Sequence, residues 1–358
     1  MLRAGAVFLV LWSHAGDLLP DVLRASSGLN WFRPGFWGVT IFFAISGFLV
    51  IGQLLDVVLG QRQETLKVFV LRRWLRTVPT YWILLALLSG TGVLAWLGWS
   101  TLALNGLFLQ GPMGLAPVLL PVSWSLVIEE WSYLAFAAFA AVLMCCRQRF
   151  LVSRQSLVRL FLAVLLVVPV VAGFARFHAL EQGLSVQALK QGLLMQTDAL
   201  VYGGLLAWSL RRLPKQFHSF ARRGSVSTPA VIGLICALSA TAPELFRDVM
   251  NPLPEHARGW ISFGFYPLAG VLAAAFVAAS WRFQYRSLPT WGSRALQVLS
   301  RCSYSVYLLH LPIAYFVRQL NLPAEFGLLI YLVGSIVVGD LCWRLFERPF
   351  MVLRKRLV

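Results

Sequence analysis

Apolar residues in this chain come in blocks of roughly twenty, separated by short stretches where Arg, Gly, Pro and Asp collect. Eighteen or more apolar residues in a row are what a helix needs to cross the hydrocarbon core of a bilayer. The blocks predict helices over 3–20, 37–59, 77–98, 124–145, 158–177, 188–209, 229–243, 260–281, 300–320 and 325–346. The segment 98–123 is apolar enough to compete as an eleventh, but Gly111, Pro112, Gly114, Pro117 and Pro121 interrupt it. Non-helical backbone at membrane depth is tolerated only where protein or water covers it. The segment before the fourth helix is therefore expected to be external or re-entrant and to line a cavity. No linker or half-chain repeat divides the sequence, so residues 1–358 are expected to form a single membrane domain.

Composition agrees with an all-α polytopic membrane protein. The chain is 59% hydrophobic and 13% charged, with a mean hydropathy of +0.74. A soluble domain averages about 45–50% apolar and about 25% charged. The net charge of +17 would point to nucleic acid in a soluble protein. Here the distribution of charge matters more. With both termini cytoplasmic, 24 of the 31 Lys and Arg fall on the inner side of ten spans, as the positive-inside bias predicts. Those residues meet the anionic inner leaflet, and no nucleic-acid partner is needed. An eleventh crossing would turn the later basic loops outward. The five cysteines lie in or at the ends of predicted spans, so no disulfide framework is expected. The first apolar run continues without a cleavage site for a signal peptide.

Several polar groups stand where a bilayer makes them costly, which marks them as candidates for function. Arg3 and His14 are eleven residues apart. At 100° and 1.5 Å per residue they share a helix face, with His14 about 16 Å deeper. An imidazole there can pack structurally or accept a proton near neutral pH. In "LRRWLR", Arg72, Arg73 and Arg76 form one cationic face where the third helix is predicted to begin. That face suits an inner-leaflet anchor or a clamp for phosphates. In "SWSLVIEEWSYL", Glu129 and Tyr133 share a face, beside Trp124, Ser125 and Glu130. Acids at a helix start gain from the macrodipole, but this cluster is too polar for lipid contact alone. His310, in "SYSVYLLHLP", lies about ten residues from Arg301 and reaches a depth close to that of His14. Ser46-Gly47, in "FWGVTIFFAISGFLV", permits close helix approach; packing and function explain the dipeptide equally well.

In order along the chain, these motifs resemble the acyltransferase-3 family of integral membrane O-acyltransferases. The resemblance rests on Arg3-x10-His14, "GVTIFFAISGFL", Arg73-x-x-Arg76, "WSLVIEEWSYL", "SYSVYLLHLP" and "FERP" with Glu347 and Pro349. It covers nearly the full length. Thr40 stands where the family often has Asp, Leu309 where it often has Trp, and only two residues precede Arg3, where relatives carry a short leader.

The resemblance implies about ten spans, both termini cytoplasmic, and residence in a bacterial inner membrane. It implies acyl-CoA, with acetyl-CoA the favoured form, as co-substrate and a carbohydrate or glycoconjugate hydroxyl as acceptor. Arg3, Arg73 and Arg76 would hold the CoA phosphates and His14 would be the base, or would be acylated transiently. Glu129 would orient the imidazole or the acceptor, and Tyr133 or His310 would donate to the oxyanion. Ser46, Trp124, Ser125 and Glu130 are the expected substrate contacts. The thiolate leaves without a metal, and no metal-ligand spacing is present. A proton-coupled transporter or flippase for a sugar or lipid is the competing expectation, since buried His, Glu and Arg serve that work too.

Overall fold

The computed structural model describes residues 2–18, 34–61, 65–90, 98–111, 114–150, 153–185, 189, 192, 196–216, 219, 253–280 and 289–356. The described residues are helical, with no strand among them. The helices are α1 (Leu2–Ala15), α2 (Gly35–Leu59), α3 (Leu66–Gly90), α4 (Trp99–Gly106), α5 (Trp124–Phe150) and α6 (Arg154–Glu181). They continue as α7 (Asp198–Arg212), α8 (Glu255–Ala279), α9 (Thr290–Arg301), α10 (Ser303–Gln319) and α11 (Ala324–Cys342). A π-helical turn, Trp343–Glu347, then leads into α12 (Arg348–Lys355). Proline sets several starts: Pro34, Pro254, Pro289 and Pro323 immediately precede α2, α8, α9 and α11. Proline cannot continue a helix backwards, and its fixed φ suits an entry.

Among the described residues, five helical stretches are long and apolar enough to cross a membrane: Gly35–Leu59, Pro121–Phe150, Arg154–Glu181, Glu255–Ala279 and Ala324–Lys355. The ten expected spans are thus met in part. The span expected at 229–243 lies outside the described residues. Helix α1, with 14 residues, is about 21 Å long against a core of about 30 Å. Helix α7 has 15 residues and α10 has 17. The expected break before residue 77 is absent, because α3 already begins at Leu66 and carries Lys67, Arg72, Arg73 and Arg76 within it. Charge interrupts hydropathy, but Arg and Lys are good helix formers. The helix expected over 300–320 is divided at Cys302, which ends α9 and precedes α10.

The described residues of segment 98–123 form no single long helix. The segment holds the eight-residue α4 and a turn, Pro121–Ser123, tied down by its own polar groups. Asn105 donates to the carbonyls of Thr101 and Pro117 and accepts from the Leu119 amide. Trp82 and Trp131 donate to the carbonyls of Gly106 and Phe108. A buried loop needs such partners for every backbone group it hides.

Helix α2 is the centre, packed on α1, α5, α6, α7 and α8. Its contact with α7 is backbone to backbone. A Cβ on Gly47 would lie 1.7 Å from the Leu200 carbonyl oxygen, and one on Gly203 would lie 2.1 Å from that of Ala44. Small residues permit this approach, which drives helix association in lipid. At one end of the crossing Arg211 binds Asp56 through Nε at 2.8 Å. Toward the other, Arg176 of α6 binds Asp198 of α7 at 2.7 and 3.2 Å.

Candidate active site

Where α2, α3, α5 and α10 meet, a pocket opens with a free volume of about 60 Å³, lined by Arg3, Ser46, Arg73, Arg76, Ser125, Glu129 and Tyr307 among others. This is room for on the order of four waters. Three guanidinium groups face one carboxylate there, so the lining is net cationic. Arg73 is 6% exposed. Its guanidinium lies 4.7 Å from the centre of the Tyr133 ring, and one Nη donates to the Tyr133 hydroxyl at 3.1 Å. Glu129 Oε1 accepts from the hydroxyls of Ser46 and Tyr133, and Tyr133 and Ser46 are 2.6 Å apart. Cation, phenol, hydroxyl and carboxylate thus form one chain, each holding the next in place.

The opposite wall belongs to α10. Tyr307 shares a hydrogen bond with Ser125 at 2.7 Å, and Tyr304 donates to the Thr77 carbonyl at 2.8 Å. Beyond Tyr307 the two imidazoles come together: the His14 and His310 rings are 5.1 Å apart, and Tyr307 and His310 are 5.9 Å apart. His310 is fully buried. Its Nδ1 lies 2.7 Å from the Tyr307 carbonyl. A carbonyl only accepts, so Nδ1 carries the proton and Nε2 of the neutral ring presents a lone pair. That Nε2 is buried with no hydrogen-bond partner among the described residues.

The model of the acyltransferase domain family, acyltransferase-3, matches residues 1–344. The chain belongs to the acyltransferase-3 family. It is also similar to the peptidoglycan O-acetyltransferase OatA of Listeria monocytogenes, with 24% identity over 97% of this chain. The chain spans only 54% of that relative's length. No solved structure matches it.

In this acyltransferase-3 chain, the expected donor residues Arg3, Arg73 and Arg76 line one pocket together with Ser46, Ser125 and Glu129. The matched depths expected for His14 and His310 end in direct ring contact, on the far side of Tyr307 from the arginines. Glu130, Trp124 and His310, all expected site residues, lie off the lining of this pocket. Glu130 is not on the pocket wall: it is buried and accepts from Thr77 Oγ1 at 2.6 Å. Trp124 is half-buried against the apolar core. And His310, off this pocket's lining, directs its Nδ1–H to the Tyr307 carbonyl. Glu129, expected to orient an imidazole or the acceptor, orients the hydroxyls of Ser46 and Tyr133. In the segment before α5, Gln110 donates to Tyr81 of α3 and to Ser123 of its own closing turn, not into the arginine pocket.

Sequence reasoning passed over Thr77, Ser303, Tyr304 and Tyr307, all on the pocket wall. Tyr307 carried a usable signal. It precedes His310 by three residues and therefore shares its helix face.

Proposed function

We propose that this chain is an integral membrane O-acetyltransferase that moves the acetyl group of acetyl-CoA to a hydroxyl of a carbohydrate. The observation that carries this reading is that Tyr307 stands both on the lining of the pocket that holds three arginines and 5.9 Å from His310, whose ring meets that of His14. Arg3 and His14 lie on the same helix, about 16 Å apart along its axis. Guanidinium forks match the oxygens of the CoA phosphates, and the pantetheine arm runs along α1 toward the histidines. His14 takes the proton of the acceptor hydroxyl as its oxygen attacks the thioester carbonyl. The C–S bond breaks, the acetyl group stays on the sugar oxygen, and the proton passes to the departing CoA thiolate. The carbohydrate acceptor is supported by the similarity to a peptidoglycan O-acetyltransferase. The charge distribution supports a cytoplasmic arginine end and residence in a bacterial inner membrane.

Membranes holding wild type, His14→Ala or the Arg73→Ala/Arg76→Ala pair, supplied with labelled acetyl-CoA and cell-envelope glycans, test this directly. Label reaches glycan with wild type, is lost with His14→Ala at equal expression, and needs more acetyl-CoA with the arginine pair. Transfer that persists without His14 removes the base assignment. No label from acetyl-CoA in wild type removes the reaction.

A further inference from the structure

Phe43 has a second polar space behind it. The void is walled by Phe36, Thr40, Phe43, Gln196, Asp198 and Tyr266, and its free volume is about 10 Å³. Phe43 also lines the arginine pocket, so one ring separates the two spaces. Thr40 and Ser46 mark their positions on α2, six residues or about 9 Å apart.

The two spaces differ in charge. Asp198 is 2% exposed and bound by both terminal nitrogens of the fully buried Arg176. The guanidinium also lies 4.8 Å from the centre of the Tyr266 ring. The carboxylate is thus neutralised where it stands, and the void attracts neither phosphate nor a cation. Its polar demand is that of an amide. Gln196 is 5% exposed, and its Nε2 is buried with no hydrogen-bond partner among the described residues. A buried N–H left unpaired is unfavourable, so the site is built to receive an acceptor oxygen. About 10 Å³ holds one oxygen atom and no more. The rings of Phe36 and Tyr266, edge to face at 5.9 Å, wall that oxygen with apolar surface.

We propose that this void is an acceptor subsite, taking one hydroxyl oxygen of an uncharged carbohydrate, with Gln196 Nε2 as its donor. The assignment rests on the O-acetyltransferase reading and adds where the acceptor is held. The acceptor and the acetyl donor then lie on opposite sides of Phe43, one space neutral and the other cationic.

The test uses the full chain in membranes or detergent, with soluble glycan fragments of peptidoglycan as probe. Gln196→Leu is compared with wild type for glycan KM, acetyl-CoA KM, and the rise in melting temperature that glycan produces. Loss of one neutral hydrogen bond predicts a glycan KM about tenfold higher. Acetyl-CoA KM should stay within about twofold and the glycan-induced rise in melting temperature should vanish. Where Gln196→Leu fails to accumulate, Thr40→Val is read in the same way. An unchanged glycan KM with an unchanged glycan-induced shift overturns the assignment and leaves the void to a fixed water. Equal changes in both KM values also overturn it, since they mark a structural role. Failure of the reaction reading looks different: wild type then transfers no acetyl from acetyl-CoA, while a glycan-induced shift present in wild type and absent in Gln196→Leu still supports the subsite.

Discussion

Arg73 and Arg176 are both buried guanidinium groups stacked near a tyrosine ring, at 4.7 and 4.8 Å from Tyr133 and Tyr266. Their partners differ. Arg176 is gripped by both oxygens of Asp198, a closed pair with both side chains out of solvent. Arg73 makes one hydrogen bond, to the Tyr133 hydroxyl, and lines an open pocket with the rest of its fork. Burying a cation is costly unless it is paired. Arg176 answers that cost with a direct two-pronged ion pair that joins two helices. Arg73 answers it with a tyrosine hydroxyl and with Glu129 across the same pocket, which leaves part of its fork facing that space. Under the acyltransferase proposal, that is the difference between an arginine that holds helices and one that can take a phosphate.

The sharpest way to break this comparison is Asp198→Ala. It strands Arg176 in the core and should lower stability by about 3–5 kcal/mol, seen as loss of folded protein in detergent melting curves. Arg176→Leu with Asp198→Leu should recover most of that loss, because an apolar pair replaces the charges without leaving one behind. If the single variant melts like wild type, the pair is not structural. Next in size, Arg73→Ala should raise the acetyl-CoA KM by about 30-fold, near 2 kcal/mol for a charge-assisted contact. Its melting temperature should fall far less than that of Asp198→Ala. Arg73→Lys should recover little, since lysine supplies neither fork nor flat stacking. Tyr133→Phe keeps the ring beneath Arg73 but removes the hydroxyl that joins it to Ser46 and Glu129. A rate loss of about fivefold is expected, near 1 kcal/mol for one hydrogen bond, in the labelled-transfer assay. Smallest, raising KCl should increase acetyl-CoA KM by about threefold through screening of the open arginines. The melting temperature, governed by buried pairs, should barely move.

What could be read in advance follows the cost of polarity in lipid. Arg3, His14, Glu129 and His310 announce themselves because each stands in an apolar run, and helix geometry alone predicts that the histidines share a depth. Arg176 hid among the charges assigned to the outside, at the end of a span expected over 158–177. Asp198 lies 22 residues away on another helix. Nothing local links such a pair; only the tertiary fold does. Helix boundaries failed for a related reason. A hydropathy window ends where lysine and arginine enter, yet α3 runs through four of them because backbone hydrogen bonding, not apolarity, extends a helix. The Ser46-Gly47 dipeptide, poised between packing and function, serves both: Ser46 bonds Glu129 on the pocket wall while Gly47 meets the Leu200 backbone.

That last adjacency has a mechanical meaning. Gly47 leaves no clearance between α2 and α7, so α2 cannot turn or slide there without a collision, and Ser46, one residue before, is a fixed stop. A pocket with such a stop acts as a gauge. The α2 backbone on the pocket wall is held by its contact with α7, and Val39, Phe42 and Phe43 are the apolar side chains of α2 that stay adjustable there. A change in the shape of that wall would then come from those side chains, with the frame that carries them left unchanged.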